Sequence, residues 1–393
     1  MAKGFEDTTL YCFNRLLSLN EVGGNPASPG LSPDEFHHWN KRRQKSWPHT
    51  MNATTTHDTK RGEDTRARIN VLSEIPQEWE IHLACWQEQN RAKKKRVEGI
   101  HVPEPNMEIF LYQTLLGACP LFQEELPAFR ERLRAYLIKA AREAKTFTDW
   151  LEPNQSYEEA LLWFVQEILT DTRRNAFLED FLNFQKKIAF FGNLNSLGQL
   201  LVKITSPGIP DFYQGTELWD LSLVDPDNRR PVDFQKREMY INELMQGEFL
   251  STSHLLAELL KSWKDGRVKL YITQKSMRFR GENTTIFQNG EYLPVQVSAD
   301  MWEHIYAFCR CRGKEWTLTV VPRLTTKLVP ADKFPLGQVW GQSQLLLPQN
   351  APRNWHNILT KEEIDTQEGK GLAVSEVLRT CPVALMTNVQ WGI

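Results

Sequence analysis

Apolar positions recur at helical spacing from the start of the chain, at Phe5, Leu10, Phe13, Leu16 and Leu17. Glu6 and Asp7 stand where a helix start favours acidic side chains. Gly23-Gly24-Asn25-Pro26, Pro29-Gly30 and Pro33 then predict a loop, and residues 35–47 a basic helix. Residues 50–57, Thr-Met-Asn-Ala-Thr-Thr-Thr-His, are rich in β-branched side chains and predict a buried strand. It ends in Asp58-Thr59-Lys60-Arg61-Gly62. Glu63 and Asp64 open a helix on which Ile69, Leu72 and Ile75 are helically spaced. Residues 50–75 therefore read as strand, polar loop, helix. Residues 77–190 read as helix almost throughout, with amphipathic stretches at 108–116, 127–145 and 157–191 and breaks at Pro103, Pro105, Pro120 and Pro153.

A further helix is predicted over 192–204, ended by Pro207-Gly208. Residues 209–213 read as a short buried strand. Gln214-Gly215 opens a loop that runs through Asp225-Pro226-Asp227-Asn228-Arg229-Arg230-Pro231, dense in turn residues and charge. Helices follow at 235–246 and 253–264. From about residue 268 the rhythm becomes short and alternating. Segments 269–273, 284–287, 293–297, 304–310, 316–321 and 383–389 read as strands, with Gly290, Gly313 and Pro322 between them, and predict a small all-β sandwich.

The 393 residues suggest two or three domains. With 41% apolar and 24% charged residues, a sizeable core is available. Forty-seven basic against 49 acidic residues leave a net charge of −2, without the basic excess of a dedicated nucleic-acid binder. No stretch reaches about 18 uninterrupted apolar residues, so no membrane-spanning helix is expected, and the first residues lack an apolar signal core. Six cysteines are too sparse for a disulfide framework, and a reducing, cytoplasmic setting is expected. Cys309 and Cys311 fall on one strand face with no second pair at a ligand spacing, so no metal site and no cofactor are expected. The run Arg91–Arg96 (RAKKKR) reads as a solvated helix end rather than an anion patch. Thirteen tryptophans are many; indoles fill cores or stack on flat ligand faces such as sugars.

Two strand ends carry convergent polar groups: His57-Asp58-Thr59-Lys60, and Asp211-Phe212-Tyr213-Gln214-Gly215-Thr216-Glu217. In a (β/α)8 barrel such ends form the site. About 150 residues separate them, whereas a bare β/α unit needs roughly 30. The helical block is then an insertion. This gives an α/β fold class: the C-terminal part of a (β/α)8 barrel with a large helical insertion, followed by the β domain. The expected segments are 1–76, 77–191, 192–266 and 267–393, the first and third being barrel.

Three segments resemble a known family. They are Ala2-Lys3-Gly4-Phe5-Glu6-Asp7-Thr8 with Asn20-Glu21-Val22-Gly23-Gly24, the run from His57 to Arg68 (HDTKRGEDTRAR), and the run from Pro207 to Phe234. Together they resemble maltooligosyl trehalose synthase of the α-amylase superfamily (glycoside hydrolase family 13), an isomerase much longer than this chain. The resemblance implies a C-terminal portion, with the catalytic nucleophile and the general acid/base supplied by sequence outside it. It implies that Asp58 is the carboxylate that stabilises an oxocarbenium-like transition state. It further implies that His57, Lys60, Lys3, Tyr213, Glu217 and Arg229 contact a maltooligosaccharide. The family reaction turns the reducing-end α-1,4 bond into α-1,1, which requires a tightly held glucose and exclusion of water. The implied partners are a glucan substrate and the other part of the enzyme; nucleic acid and membrane are not. Alone, the chain is expected to be inactive. The alternatives are a non-catalytic glucan-binding or complementing subunit, and a piece of another α-amylase-family hydrolase or transferase. Structural roles also remain open: Lys60 can pair with Glu63 or Asp64, and Arg229 with Asp225 or Asp227.

Overall fold

The structure, a computed structural model, describes residues 2–28, 30–170, 175–366 and 371–391; the side chains of residues 2, 3, 299 and 300 lie outside that description. It is a mixed helix-and-sheet fold. Contacts gather it into two units: Met1–Pro29, His57–Asn193 and Leu221–Arg230 form one, and Gly30–Thr56, Leu194–Asp220 and Pro231–Ile393 the other.

The first unit is built from helices. Ala2–Cys12, Glu63–Asn70, Pro76–Asn90, Pro105–Ala118, Leu126–Ala144 and Gln155–Leu169 belong to it, with the first part of the long helix Ala176–Thr205. Prolines sit in the first turn of Pro76–Asn90, Pro105–Ala118 and Leu126–Ala144, where no intrahelical donor is lost. Pro105–Ala118 is mostly apolar and buried nearly throughout, as a central helix must be. Trp86, fully buried, meets Trp79, Tyr112, Phe177, Phe181 and Phe184 edge-on at 5.4–5.9 Å, and its indole N–H donates to Asp180 at 2.6 Å. This tryptophan fills core.

Residues 77–190 are not all helix. An antiparallel hairpin, Lys95–Val97 with Ile100–Val102, interrupts them. Glu98 and Gly99 both have positive φ, 48° and 88°, the geometry of a two-residue turn that matches strand twist. Periodicity missed it because each strand has only three residues. The basic run begins at a helix end, Arg91–Lys93 being a 3-10 turn directly after Pro76–Asn90, and continues into the first hairpin strand. Lys94 pairs with the buried Glu108 at 2.7 Å, Lys95 lies 4.0 Å over the Trp163 ring, and Lys93 donates to Asn90 at 2.9 Å. The helix expected over 192–204 is the end of one 30-residue helix, Ala176–Thr205.

The second unit holds a six-stranded antiparallel sheet in the order Glu363–Asp365, Asn354–Asn357, Ala384–Thr387, Glu315–Pro322, Ile305–Arg312, Glu291–Pro294. Both faces are covered, and alternation along each strand divides the core. Tyr306, Phe308, Val321 and Leu385 pack with Tyr271, Ile272, Phe279, Ile286 and Phe287 of two helices. Ile305, Ala307, Cys309, Leu318, Val320, Ala384 and Met386 pack with Leu345 and Leu372 of a small sheet, Leu372–Ala373, Gln344–Leu346 and Gln296–Val297. Cys309 and Cys311 share the latter face.

Two expected strands are therefore helix. Segment 269–273 lies in Arg267–Glu282 and segment 284–287 in Thr284–Asn289. The buried face of the former runs through Val268, Tyr271, Ile272, Lys275 and Phe279, a helical spacing in which a lysine breaks the apolar pattern. Lys275 is admitted because Glu248 accepts from it at 2.5 Å. Arg280 is admitted because it donates to the carbonyls of Ile204 and Gly208.

The strand expected over 50–57 contracts to Met51–Asn52, and that over 209–213 to Ile209–Pro210; the two pair in parallel. Neither is buried: Met51 is 64% and Ile209 46% exposed. Among the described residues this sheet has only these two strands, so no neighbour covers them. Their close approach needs Gly208. Its φ is +112°, and a Cβ there would lie 2.7 Å from the Thr50 carbonyl oxygen.

Candidate functional site

The turn after the first parallel strand carries His57, Asp58, Thr59 and Lys60 and leads into the helix Glu63–Asn70. Gly62 caps that helix, and the buried acids Glu63 and Asp64 occupy its first turn, where the helix dipole favours them. Loop 221–230 clamps the turn. The Gly62 amide donates to the Ser222 carbonyl at 2.8 Å, Arg61 bridges to Leu223, and the Asn228 side-chain amide donates to the His57 carbonyl at 3.1 Å. Arg61 is fully buried because its guanidinium donates to the carbonyls of Leu17 and Asn20 and to the Tyr136 hydroxyl.

Within this frame the side chains have different solvent. Asp58 is 41% and His57 66% exposed, with Nε2 of the histidine 3.5 Å from Oδ2 of the aspartate. Lys60 is only 7% exposed. Its Nζ pairs with Asp7, not with Glu63 or Asp64, and lies 5.6 Å over the Tyr11 ring. Its amide donates to Glu21 Oε1 at 2.8 Å. Arg229 is exposed, and its guanidinium stands 3.8 Å from Asp225. Asp225 also accepts from Lys139 at 3.0 Å. Burial alone would raise the Asp225 carboxyl. The bond and charge of Lys139, the charge of Arg229 and that of Lys60 outweigh burial and hold it below the usual carboxylate range. Asp227, likewise opposed by burial, is held low by the two bonds and charge of Arg132, the Leu223 amide and Arg230.

The structure thus brings Lys60, Asp58, His57 and Arg229 into one unit with Asp7, Glu21 and Asp225. Tyr213 and Glu217 belong to the other unit. There Glu217 accepts from Arg237 at 2.8 Å, Arg237 donates to the Gly215 carbonyl, and the Tyr213 carbonyl accepts from Thr216. The Lys3 side chain lies outside the described residues. Asp7, Glu21 and Asp225 escaped selection as site residues, although all three lie in the segments that carried the resemblance. Their spacing along the chain gives no sign that they meet. Among the described residues no cluster of metal-ligating side chains occurs and no helix is long and apolar enough to cross a membrane.

No family model matches the chain. A protein of Mycobacterium tuberculosis assigned as a maltooligosyl trehalose synthase is 33% identical over 387 residues, which is 98% of this chain and 44% of that protein. The solved maltooligosyltrehalose synthase of Arthrobacter ramosus superposes with a TM-score of 0.79 at 33% identity, over 98% of this chain and 45% of that one. The chain resembles the C-terminal part of maltooligosyl trehalose synthase. A Sulfolobus tokodaii structure described as a hypothetical maltooligosyl trehalose synthase agrees at TM-score 0.70 and 30% identity, over 98% of this chain and 45% of that one. The chain spans less than half the length of these relatives.

Proposed function

We propose that this chain supplies the C-terminal part of an intramolecular transglucosylase that converts the reducing-end α-1,4 linkage of a maltooligosaccharide to α-1,1. The observation that carries this is a similarity of 33% identity sustained along 98% of the chain. In this reading the parallel strands Met51–Asn52 and Ile209–Pro210 belong to a (β/α)8 barrel. Segments 1–76 and 192–266 are barrel, 77–191 is an inserted helical block, and 267–393 is the terminal domain. The remainder of the length seen in the relatives supplies the neighbouring strands, the nucleophile and the acid/base; a retaining glycosidase needs those two about 5–5.5 Å apart.

Asp58 is then the third carboxylate. Half-exposed in the turn that follows the strand Met51–Asn52, it is accessible to a sugar and carries the charge that an oxocarbenium-like state needs. His57 donates to a hydroxyl beside it. Lys60, with Asp7, holds the released glucose, and Lys3 and Arg229 add donors; Tyr213 and Glu217 are further candidate sugar contacts. Between cleavage and rejoining, that retention keeps the glucose from being lost to water.

The test is complementation. The chain, alone and with a separately expressed N-terminal portion of a relative, is incubated with maltopentaose. A non-reducing product with the complemented chain, and none with the chain alone, is the expected result. Product from the chain alone would overturn the division of the machinery, and hydrolysis to free glucose as the sole complemented reaction would overturn the isomerase reading.

A further inference from the structure

Trp150 is half exposed, at 50%, yet its indole is fixed. Nε1 donates to Glu143 at 3.0 Å, and the Arg142 guanidinium backs the ring at 5.0 Å. Arg142 is itself locked by two bonds of 2.8 Å to Glu158, which also accepts from Thr148 at 2.7 Å. The loop that presents the ring is equally tied. Asp149 Oδ1 accepts the amides of Leu151 and Glu152, both at 2.7 Å, and Thr148 Oγ1 accepts the Asn154 amide at 3.0 Å. In the same loop Phe147 stacks on Tyr157 at 5.3 Å. The neighbouring Leu151 is 92% exposed.

An indole with one edge hydrogen-bonded and one face backed by a cation has little freedom left. Its ordering cost on binding is therefore already met. A pyranose ring offers a flat C–H face matched to an indole, and the Glu143 carboxylate marks the polar edge of the ring. We propose that Trp150, carried by the 146–154 loop, is a stacking platform for an α-glucan chain, additional to the residues of the His57–Lys60 turn. The glucan class rests on the function proposed above; the platform rests on the geometry of the loop.

The test is affinity electrophoresis of the full chain through gels containing soluble amylose. The wild type should be retarded. Trp150→Ala should bind amylose about fivefold more weakly, in line with the strength of aromatic stacking. Trp150→Phe, which keeps a flat face, should recover most of the retardation. The exposed position should leave the thermal melt unchanged, which verifies that lost binding is not lost folding. Equal retardation of wild type and Trp150→Ala would overturn the platform while leaving the proposed function standing. A wild type that amylose does not retard would overturn it as well. Failure of the complementation assay beside a Trp150-dependent retardation would sink the isomerase reading and leave the platform.

Discussion

Asp58 and Lys60 stand two residues apart and live in different solvent. The aspartate faces water at 41% exposure, whereas the lysine is 7% exposed and committed to Asp7. Substitutions should separate them. Asp58→Asn is nearly isosteric and removes only the charge. In the complemented enzyme it should lower kcat by about 10²–10³, or ~3–4 kcal/mol, with KM little changed; near-normal turnover would sink the stabiliser role. Lys60→Gln should act on folding too, because it strands Asp7 beside a buried amide. We expect each of Lys60→Gln and Asp7→Asn to cost ~1–3 kcal/mol in urea unfolding. The double variant should cost clearly less than their sum, since Asp7 keeps 27% exposure and the pair is a mutual one. Additive costs would show that the two do not act as a pair.

At the scale of elements, the helix Pro33–Ser46 is anchored by a buried polar knot. His37 Nδ1 lies 2.8 Å from the Tyr292 hydroxyl and 3.1 Å from that of Tyr306, and the two hydroxyls are 2.7 Å apart. Burial, with Lys41 adding and Asp34 opposing, pushes the His37 imidazole down to about 4. The folded imidazole thus resists a proton that the unfolded chain accepts near its ordinary 6.5. The stabilisation is fully present above that ordinary value and is lost as pH falls from about 6.5 toward 4. After discounting for solvent access it should amount to on the order of 1–2 kcal/mol. Urea titrations between pH 7 and 4 should show the loss in wild type and a smaller one in His37→Gln; equal slopes would remove His37 from the account. Gly208 joins the two parallel strands in the same direct way. Gly208→Ala forces a Cβ against the Thr50 carbonyl at +112° and should cost about 2 kcal/mol or more, read from the same titrations.

At the scale of the molecule, the six-stranded sheet draws its cover from distant chain. Leu197, Leu200, Leu201, Ile204 and Leu218 share one core cluster with Phe279, Phe308 and Leu385. A fragment of residues 267–393, although it contains every strand of the sheet, would expose that face. It should show weak near-ultraviolet dichroism and bind a hydrophobic dye, whereas a chain starting at residue 194 should recover more native signal. A well-dispersed, cooperatively melting 267–393 fragment would refute this dependence.

Local chemistry alone determined much of this protein. Proline and glycine punctuation placed most helix starts and the strand-turn-helix at 50–75. Alternation found the strands Ile305–Arg312 and Glu315–Pro322, and the dense polar segments led to the relatives. Those signals are short-range, so they survive in a sequence read alone. Two kinds of feature did not survive. Arg267–Glu282 hid its helical face because Lys275 and Arg280 interrupt it, and only Glu248 and the carbonyls of Ile204 and Gly208 make their burial possible. Likewise nothing in the spacing of Asp7, Glu21, Lys60 and Asp225 says that they meet. An ion pair 53 residues apart in sequence has no periodicity to betray it, and tertiary folding alone chose Asp7 over the nearer Glu63 and Asp64 as the partner of Lys60.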